Sequence, residues 1–241
     1  MTLRWYDTVD STNTEALRHI GEWEHMTVLS AREQTAGRGQ RGNSWFAEPG
    51  QNLTFSIVVR PVDFPAADAV WLNYLASDVV ASFLNGYGVR TTIKWPNDIY
   101  VGKDKICGML IENTLRGNAL EASVIGIGIN VNQQEFPQLA SATSLRRCLG
   151  RELDLKDCLH AFMALFEGEW PRLYEDRAGL FASYSSRLFR KDCEAHYRDL
   201  LEDREYTGIL RGVIPDGRLH IYDQDQQADR YYRFKEVSYI L

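Results

Sequence analysis

Two arginines and three glycines lie within six residues of the segment Gln34–Trp45, whose sequence is QTAGRGQRGNSW. Each glycine costs a helix or a strand about 0.5–1 kcal/mol relative to alanine, so the segment is predicted to be a loop. Backbone N–H groups in turns form anion-binding concavities, and the arginine guanidinium matches the geometry of carboxylates and phosphates. The segment is therefore a candidate anion site, although a solvated turn with basic residues is an equally simple interpretation.

A further cation, Lys105, lies in the segment GKDKICGMLIEN at Gly102–Asn113. Together with Arg38 it could lower the repulsion between a substrate carboxylate and a nucleotide phosphate, which is the barrier to carboxylate activation. A glycine loop that closes over the reactants would also exclude water and protect an acyl-phosphate intermediate. No Ser-His or Cys-His pairing points to a protein nucleophile. Taken alone, Lys105 would more often be a solvated hairpin lysine.

The elements that position these residues are strands mixed with helices and antiparallel hairpins. Strands are predicted at Leu3–Thr8, Thr27–Glu33, Asn52–Arg60, Val89–Trp95, Ile99–Val101, Lys105–Glu112 and Ala119–Ile129. A capping box at Thr12-x-x-Glu15 predicts a short helix, apolar spacing predicts a helix over Ala66–Asn85, and Asp154 is expected to cap another. The alternation of Asn52–Arg60 predicts a half-buried strand. This order favours an α+β fold over a doubly wound parallel sheet.

From about Arg190 the pattern changes to short strand-like runs. They are Glu205–Arg211, Arg218–Tyr222 and Arg230–Phe234, with a turn at Pro215-Asp216-Gly217 between the first two. About fifty residues form too small a core to stand alone, so this part is expected to pack on the rest. We therefore predict a catalytic domain at residues 1–189 and a small β domain at residues 190–241.

The bulk composition excludes several classes of protein. The 241 residues carry a formal net charge of −6, which argues against general nucleic-acid binding. The four cysteines form no C-x-x-C pair and share no ligand spacing with a histidine, so no structural zinc site is expected. The chain shows no signal peptide and no run near the roughly 18 apolar residues of a membrane helix. A cytoplasmic protein with reduced cysteines is the expectation.

A set of short motifs resembles those of the biotin–protein ligases, also called biotin–[acetyl-CoA-carboxylase] ligases. The motifs are DSTN at Asp10–Asn13, QTAGRGQRGNSW, KWPND at Lys94–Asp98, K-x-x-G at Lys105–Gly108 and GIGIN at Gly126–Asn130. The C-terminal β unit fits the small SH3-like β-barrel of that family, so the resemblance covers essentially the whole chain. It implies a mixed, largely antiparallel sheet with flanking helices.

The resemblance also implies a two-step reaction. Biotin and MgATP form biotinyl-5′-AMP and pyrophosphate, and a lysine of the biotin carboxyl carrier domain of a biotin-dependent carboxylase then attacks the adenylate. The first motif begins at residue 10, so we expect no N-terminal DNA-binding domain and no nucleic-acid partner. No membrane partner is expected either, and the chain is predicted to act as a monomer or a homodimer.

Site residues are carried over from the resemblance by position. Lys105 and Arg38 are the implied catalytic cations. The implied biotin-binding residues are Ser11, Thr12, Asn13, Gln34, Gly37, Arg38, Gly39, Gln40, Lys105, Gly108, Gly126 and Gly128. The implied nucleotide-binding residues are Arg41, Asn43, Trp45 and Asn130. Asp98 is a candidate for holding Mg²⁺ or for orienting Lys94, and a plain turn role is an equal alternative.

One position departs from the family, since many members carry arginine where this chain has Gln40. That arginine helps the loop retain the adenylate, so we expect Arg41 or another cation to compensate here. Two other functions stay open at this point, a lipoate–protein ligase and a non-catalytic biotin-binding module. Ser11, Thr12 and Gln34 favour biotin, because its ureido ring needs more polar partners than a dithiolane ring.

Overall fold

The computed structural model describes residues 2–137, 139 and 141–240, without the side chain of Arg41. Within these residues, seven strands form a mixed sheet in the order β1-β2-β3-β7-β6-β5-β4. The strands are β1 (Thr2–Val9), β2 (Thr27–Gln34), β3 (Leu53–Val59), β4 (Thr92–Lys94), β5 (Asp98–Val101), β6 (Asp104–Arg116) and β7 (Ala119–Ile129). Strands β1 and β2 are parallel, and the other neighbours are antiparallel.

Helices cover both faces of this sheet. They are α1 (Thr12–Arg18), α2 (Val70–Gly86), α3 (Leu145–Leu149), α4 (Leu155–Glu169), α5 (Arg172–Glu175) and α6 (Arg177–Ser186). Helix α2 packs against α4 and α6 over the main core, which includes Phe55 and Ile57. Helix α1 covers the other face, where Ala16 packs on Leu29 and Val58. The prediction of a half-buried β3 was wrong, because this central strand is covered on both faces and buried throughout.

Of the N-terminal capping residues predicted for α1 and α4, the first is wrong and the second is confirmed. The capping residue of α1 is Ser11 rather than Thr12, and it makes no side-chain capping bond. The hydroxyl of Thr12 instead donates to Gln34, because the helix begins directly above β2 and β3. At α4, the carboxylate of Asp154 accepts from the backbone N–H groups of residues 156 and 157, as predicted.

The C-terminal part forms a second, antiparallel sheet in the order β11-β10-β9-β8-β12. Its strands are β8 (Glu194–Asp199), β9 (Arg204–Val213), β10 (Leu219–Asp223), β11 (Ala228–Tyr232) and β12 (Val237–Tyr239), of which β8 and β12 were not predicted. The sheet packs on the rest of the chain, where Trp95 Nε1 donates to the Gly217 carbonyl at 3.0 Å. The α+β class with a small C-terminal β unit is confirmed, while the boundary at residues 189 and 190 stays a prediction.

Candidate active site

A cleft of about 320 Å³ lies on the α1 side of the large sheet. Its floor follows a row of residues that are in register across five strands. The row runs Thr54, Gly128, Gly108, Asp98 and Lys94, from β3 to β4. Since neighbouring strands are about 4.8 Å apart, the row is roughly 19 Å long. Hydroxyl and amide groups therefore lie at one end of the cleft and charged groups at the other, with glycines between them.

The floor glycines make room for side chains that lie directly on the strands. A Cβ atom at Gly126 would clash with the side-chain amide of Asn13, and one at Gly128 would clash with the indole of Trp45. At Gly108 it would lie 3.1 Å from Lys105 Nζ and 3.2 Å from Trp45 Cζ3. Glycine within a strand is typical of such close approach.

At one end, which we call the amide end, four polar residues form a hydrogen-bonded group, and a fifth, Ser11, lies beside them in the cleft lining. The four are Thr12, Asn13, Gln34 and Ser56. Both the backbone N–H and the hydroxyl of Thr12 donate to Gln34 Oε1, at 2.8 and 3.1 Å. The Ser56 hydroxyl lies 2.7 Å from Thr12 Oγ1 and 2.6 Å from Asn13 Oδ1. This end is thus an ordered set of neutral donors and acceptors.

The hydrogen-bonded group continues from the amide end to the glycine-arginine loop. Asn13 Nδ2 donates to the Leu110 carbonyl at 3.1 Å and to Glu112 Oε2 at 2.9 Å. The other oxygen of Glu112 accepts from Arg38 Nη2 at 2.6 Å, and Arg38 Nη1 lies 3.4 Å from Thr14 Oγ1. Glu112 therefore connects the two parts of the cleft.

The segment Gly37–Trp45, which we call the lid, folds back on itself. The Trp45 N–H donates to the Gly37 carbonyl at 2.9 Å, and the Gly39 N–H donates to the Asn43 carbonyl at 2.7 Å. A positive φ of 82° at Gly42 completes the turn. Among the described residues, the buried atoms Trp45 Nε1 and Gln40 Oε1 have no hydrogen-bond partner. Both atoms could therefore pair with a polar ligand.

At the other end, which we call the charged end, Lys94, Asp98 and Lys105 lie together. Lys105 Nζ is 2.7 Å from Asp98 Oδ1 and 5.8 Å from the centre of the Trp45 ring. Lys94 Nζ lies 5.1 and 5.3 Å from the ring centres of Tyr100 and Tyr239. Burial lowers the pKa of Lys94 below its ordinary value of 10.5, an effect that Asp98 opposes and that the cations Lys105 and Arg190 reinforce.

Comparison with known proteins assigns the family. The model of the Biotin/lipoate A/B protein ligase family matches residues 5–130. The chain belongs to the biotin/lipoate A/B protein ligase family. It is 33% identical to the bifunctional ligase/repressor BirA of Salmonella typhimurium, over 90% of this chain and 68% of that protein. It is 35% identical to the biotin–[acetyl-CoA-carboxylase] ligase of Mycobacterium tuberculosis, over 87% and 79% of the two chains.

A solved structure of this ligase family matches almost the whole fold. The biotin protein ligase from Aquifex aeolicus, in complex with biotin and ATP, superposes with a TM-score of 0.80 at 26% identity. The match covers 98% of this chain and 97% of that one, so it includes the C-terminal sheet. The resemblance of the motifs to this family is confirmed by these comparisons.

The cleft brings together most of the site residues that the ligase motifs imply. Those that line it are Ser11, Thr12, Asn13, Gln34, Arg38, Gly39, Gln40, Asn43, Trp45, Asp98, Lys105, Gly108, Gly126 and Gly128. The cluster draws on strands far apart in the sequence, and the row across the sheet explains how they meet. Their individual roles toward biotin and nucleotide stay predictions.

Other implied residues lie elsewhere. Asn130 is outside the cleft lining, and its Nδ2 donates to the Thr143 carbonyl at 3.0 Å, so it supports the loop at Thr143. Its role toward the nucleotide stays a prediction. Gly37 lies at the base of the lid, outside the cleft lining. The side chain of Arg41 falls outside the described residues. Asp98, by contrast, lines the cleft and pairs directly with Lys105 at 2.7 Å.

Several residues of the site were not found from the sequence. Glu112 shares a face of β6 with Gly108 and Leu110, because side chains alternate along a strand, so this period could have identified it. The C-terminal sheet also contributes to the cleft. Its lining residues are Phe234, Val237, Ser238 and Tyr239. No local sequence signal indicates that these four residues reach the catalytic sheet.

Proposed function

We propose that this chain is a biotin–protein ligase, which forms biotinyl-5′-AMP from biotin and ATP and transfers biotin to a lysine of a carrier domain. The observation that carries the proposal is the polarity of the cleft, with neutral hydrogen-bonding groups at one end and lysines at the other. That arrangement suits a substrate with a polar, uncharged head and a carboxylate tail. The named relatives and the Aquifex aeolicus complex with biotin and ATP support it.

In the first step, a biotin carboxylate oxygen attacks the α-phosphorus of ATP, and pyrophosphate leaves. Both reactants are anionic, so Lys105 and Arg38 lower their repulsion and stabilise the charge on the transferring phosphoryl group. In the part of the chain that the structure describes, Lys105 pairs with one carboxylate, that of Asp98, at 2.7 Å. Substrate oxygens can therefore join this pair without breaking a larger buried network.

In the second step, an uncharged lysine amine of the carrier domain attacks the acyl carbon of the adenylate, and AMP leaves. The lid over the cleft keeps water from the adenylate until that amine arrives. We propose as partner the biotin carboxyl carrier domain of a biotin-dependent carboxylase, met in the cytoplasm.

Magnesium would enter with the nucleotide. Within the described ranges, no three histidine, cysteine, aspartate or glutamate side chains group so as to hold a metal ion. Mg²⁺ typically takes one or two protein carboxylates and completes its coordination with substrate phosphates and water. Asp98 fits the single-carboxylate case, because it lies in the cleft at the charged end.

Biotin is favoured over lipoate by the amide end. The Thr12, Asn13 and Gln34 side chains provide donors and acceptors that suit a ureido ring, whereas a dithiolane ring offers sulfur alone. Leaving buried polar groups without a partner costs about 1–3 kcal/mol each. A non-catalytic biotin-binding module would not need Lys105 at the far end of the cleft.

The test is incubation with biotin, MgATP and a purified carrier domain, followed by intact-mass measurement of the carrier. The mass should rise by one biotinyl group with the wild-type chain and stay unchanged with Lys105→Ala. Lys103→Ala, in the exposed turn of the same hairpin, is the matched control and should retain activity. A gain of lipoyl mass in preference to biotinyl mass would indicate the lipoate function. Biotin binding without ATP-dependent pyrophosphate release would indicate a binding module.

A further inference from the structure

Glu112 uses each of its two carboxylate oxygens for a different part of the cleft. Oε2 accepts from the amide of Asn13, which belongs to the amide end, and Oε1 accepts from the guanidinium of Arg38, which belongs to the lid. The Glu112 side chain is 23% exposed and that of Arg38 is 44% exposed. Glu112 is thus the more buried partner, and the more exposed arginine is held by it.

Asn13 has little freedom to move away from this arrangement. Its Oδ1 lies 2.6 Å from the Ser56 hydroxyl, and its Nδ2 also bonds the Leu110 carbonyl. The absence of a side chain at Gly126 lets Asn13 lie against β7, and any side chain there would collide with it. Glu112 is therefore anchored on a constrained group at one oxygen while it holds the lid at the other.

We propose that Glu112 is a positioning residue, which aims the Arg38 guanidinium into the cleft and couples the lid to the amide end. The inference rests on the proposed function. A long arginine side chain loses up to about 2 kcal/mol of rotamer entropy when it is fixed, and Glu112 fixes it before the substrate binds. A guanidinium has five N–H groups, so its contacts with Glu112 and Thr14 leave donors for substrate oxygens.

The decisive measurement is the rate at which added biotinyl-5′-AMP dissociates, followed by chase with excess unlabelled ligand. Glu112→Gln should accelerate dissociation about tenfold, because the guanidinium loses a charged hydrogen-bond partner. Biotin affinity itself should change less, since the glutamine carbonyl can still accept from the Asn13 amide. Substitution of a residue that merely supported the fold would weaken the binding of biotin and of biotinyl-5′-AMP alike.

A double-mutant cycle separates positioning from general damage. If Glu112 acts through Arg38, then the double variant Glu112→Gln, Arg38→Ala should release the adenylate at the same rate as Arg38→Ala alone. Glu121→Gln is the matched control, because Glu121 pairs with Arg116 at 2.5 Å on the same β6–β7 hairpin, away from the cleft lining. It should dissociate the adenylate at the wild-type rate.

Should Glu112→Gln fail to fold, as judged by thermal melting, Glu112→Asp takes its place, since it keeps the charge but is too short to reach both partners. The proposal is overturned if the folded variant holds the adenylate as long as wild type or longer, or if the two substitutions are additive. Failure of the wild-type chain to bind biotin or biotinyl-5′-AMP at all would overturn the proposed function instead.

Discussion

At the amide end of the cleft, Ser11, Thr12 and Asn13 each keep only 3–4% of their surface exposed. Thr12 donates to Gln34, and the Ser56 hydroxyl bonds both Thr12 and Asn13. At the charged end, the side chains of Lys105 and Asp98 are 21% and 27% exposed and form an ion pair. The first end is arranged before a ligand arrives. The second end holds charges that can change partners when anionic oxygens enter.

This difference matches what each end has to do. A neutral head group is recognised best by fixed donors and acceptors, because an unpaired buried group is costly. A reaction between two anions needs cations that act where charge develops, with partners they can exchange. Substitutions at the two ends should therefore have separate effects on biotin binding and on adenylate formation.

The largest effect is expected for Lys105→Met, which keeps most of the side-chain volume but removes the charge. Adenylation should slow by about 10²–10³-fold, the usual cost of removing one group that stabilises transition-state charge. Pyrophosphate release under single-turnover conditions measures it, with biotin affinity measured separately by calorimetry. An equal loss in biotin affinity would contradict the separation of the two ends.

Next come two glycines that lie two residues apart on β7. Gly126→Ala should displace Asn13 and raise the KM for biotin, whereas Gly128→Ala should displace Trp45 and raise the KM for ATP. Displacing a positioned group by about 1 Å can cost ~10²-fold in rate. Steady-state kinetics with each substrate varied in turn would show the crossed pattern. A rise in the KM for the same substrate in both variants would contradict the separation of the two ends.

The sequence predicted the chemistry of the site better than its geometry. Glycine positions, the Lys105 segment and the lid could be found because each motif is continuous in the chain. The ion pair of Asp98 with Lys105 could not, because it depends on the register between β5 and β6, including an irregularity after Ile99. Register in a hairpin follows from the turn and from the alternation of side chains, and the irregularity shifts the pairing in a way that neither signal indicates.

The fold likewise has parts that local sequence signals predict and parts that depend on tertiary contacts. Helix α4 and its Asp154 cap follow from local signals, while the full burial of β3 depends on which helix lies over the second face. Asn130 belongs to a predicted motif but supports the loop at Thr143, since the direction of its side chain is set by tertiary contacts. The position of Tyr239 in the cleft lining likewise depends on how the C-terminal sheet packs on the rest of the chain.

A smaller effect is expected for Thr12→Val, which keeps the shape of the side chain and removes its hydroxyl. Gln34 Oε1 then loses one of its two hydrogen-bond donors, and the Ser56 hydroxyl loses Thr12 Oγ1 as an acceptor. The cost is about 1 kcal/mol or slightly more. Biotin affinity should fall by about tenfold. Ser185→Ala, on α6 and outside the cleft lining, is a hydroxyl control that should leave biotin binding unchanged.

The smallest effect concerns pH and Lys94 at the charged end. Burial between Tyr100 and Tyr239 lowers the pKa of Lys94, so it loses its proton at a lower pH than a free lysine with a pKa of 10.5. The protonated form attracts phosphates, so ATP affinity should fall by a few-fold as pH rises through the lowered pKa, before 10.5 is reached. Lys94→Arg stays charged throughout this range and should abolish the early fall, whereas Lys103→Arg should keep it. An identical alkaline profile in the Lys94→Arg variant would show that this lysine does not meet the nucleotide.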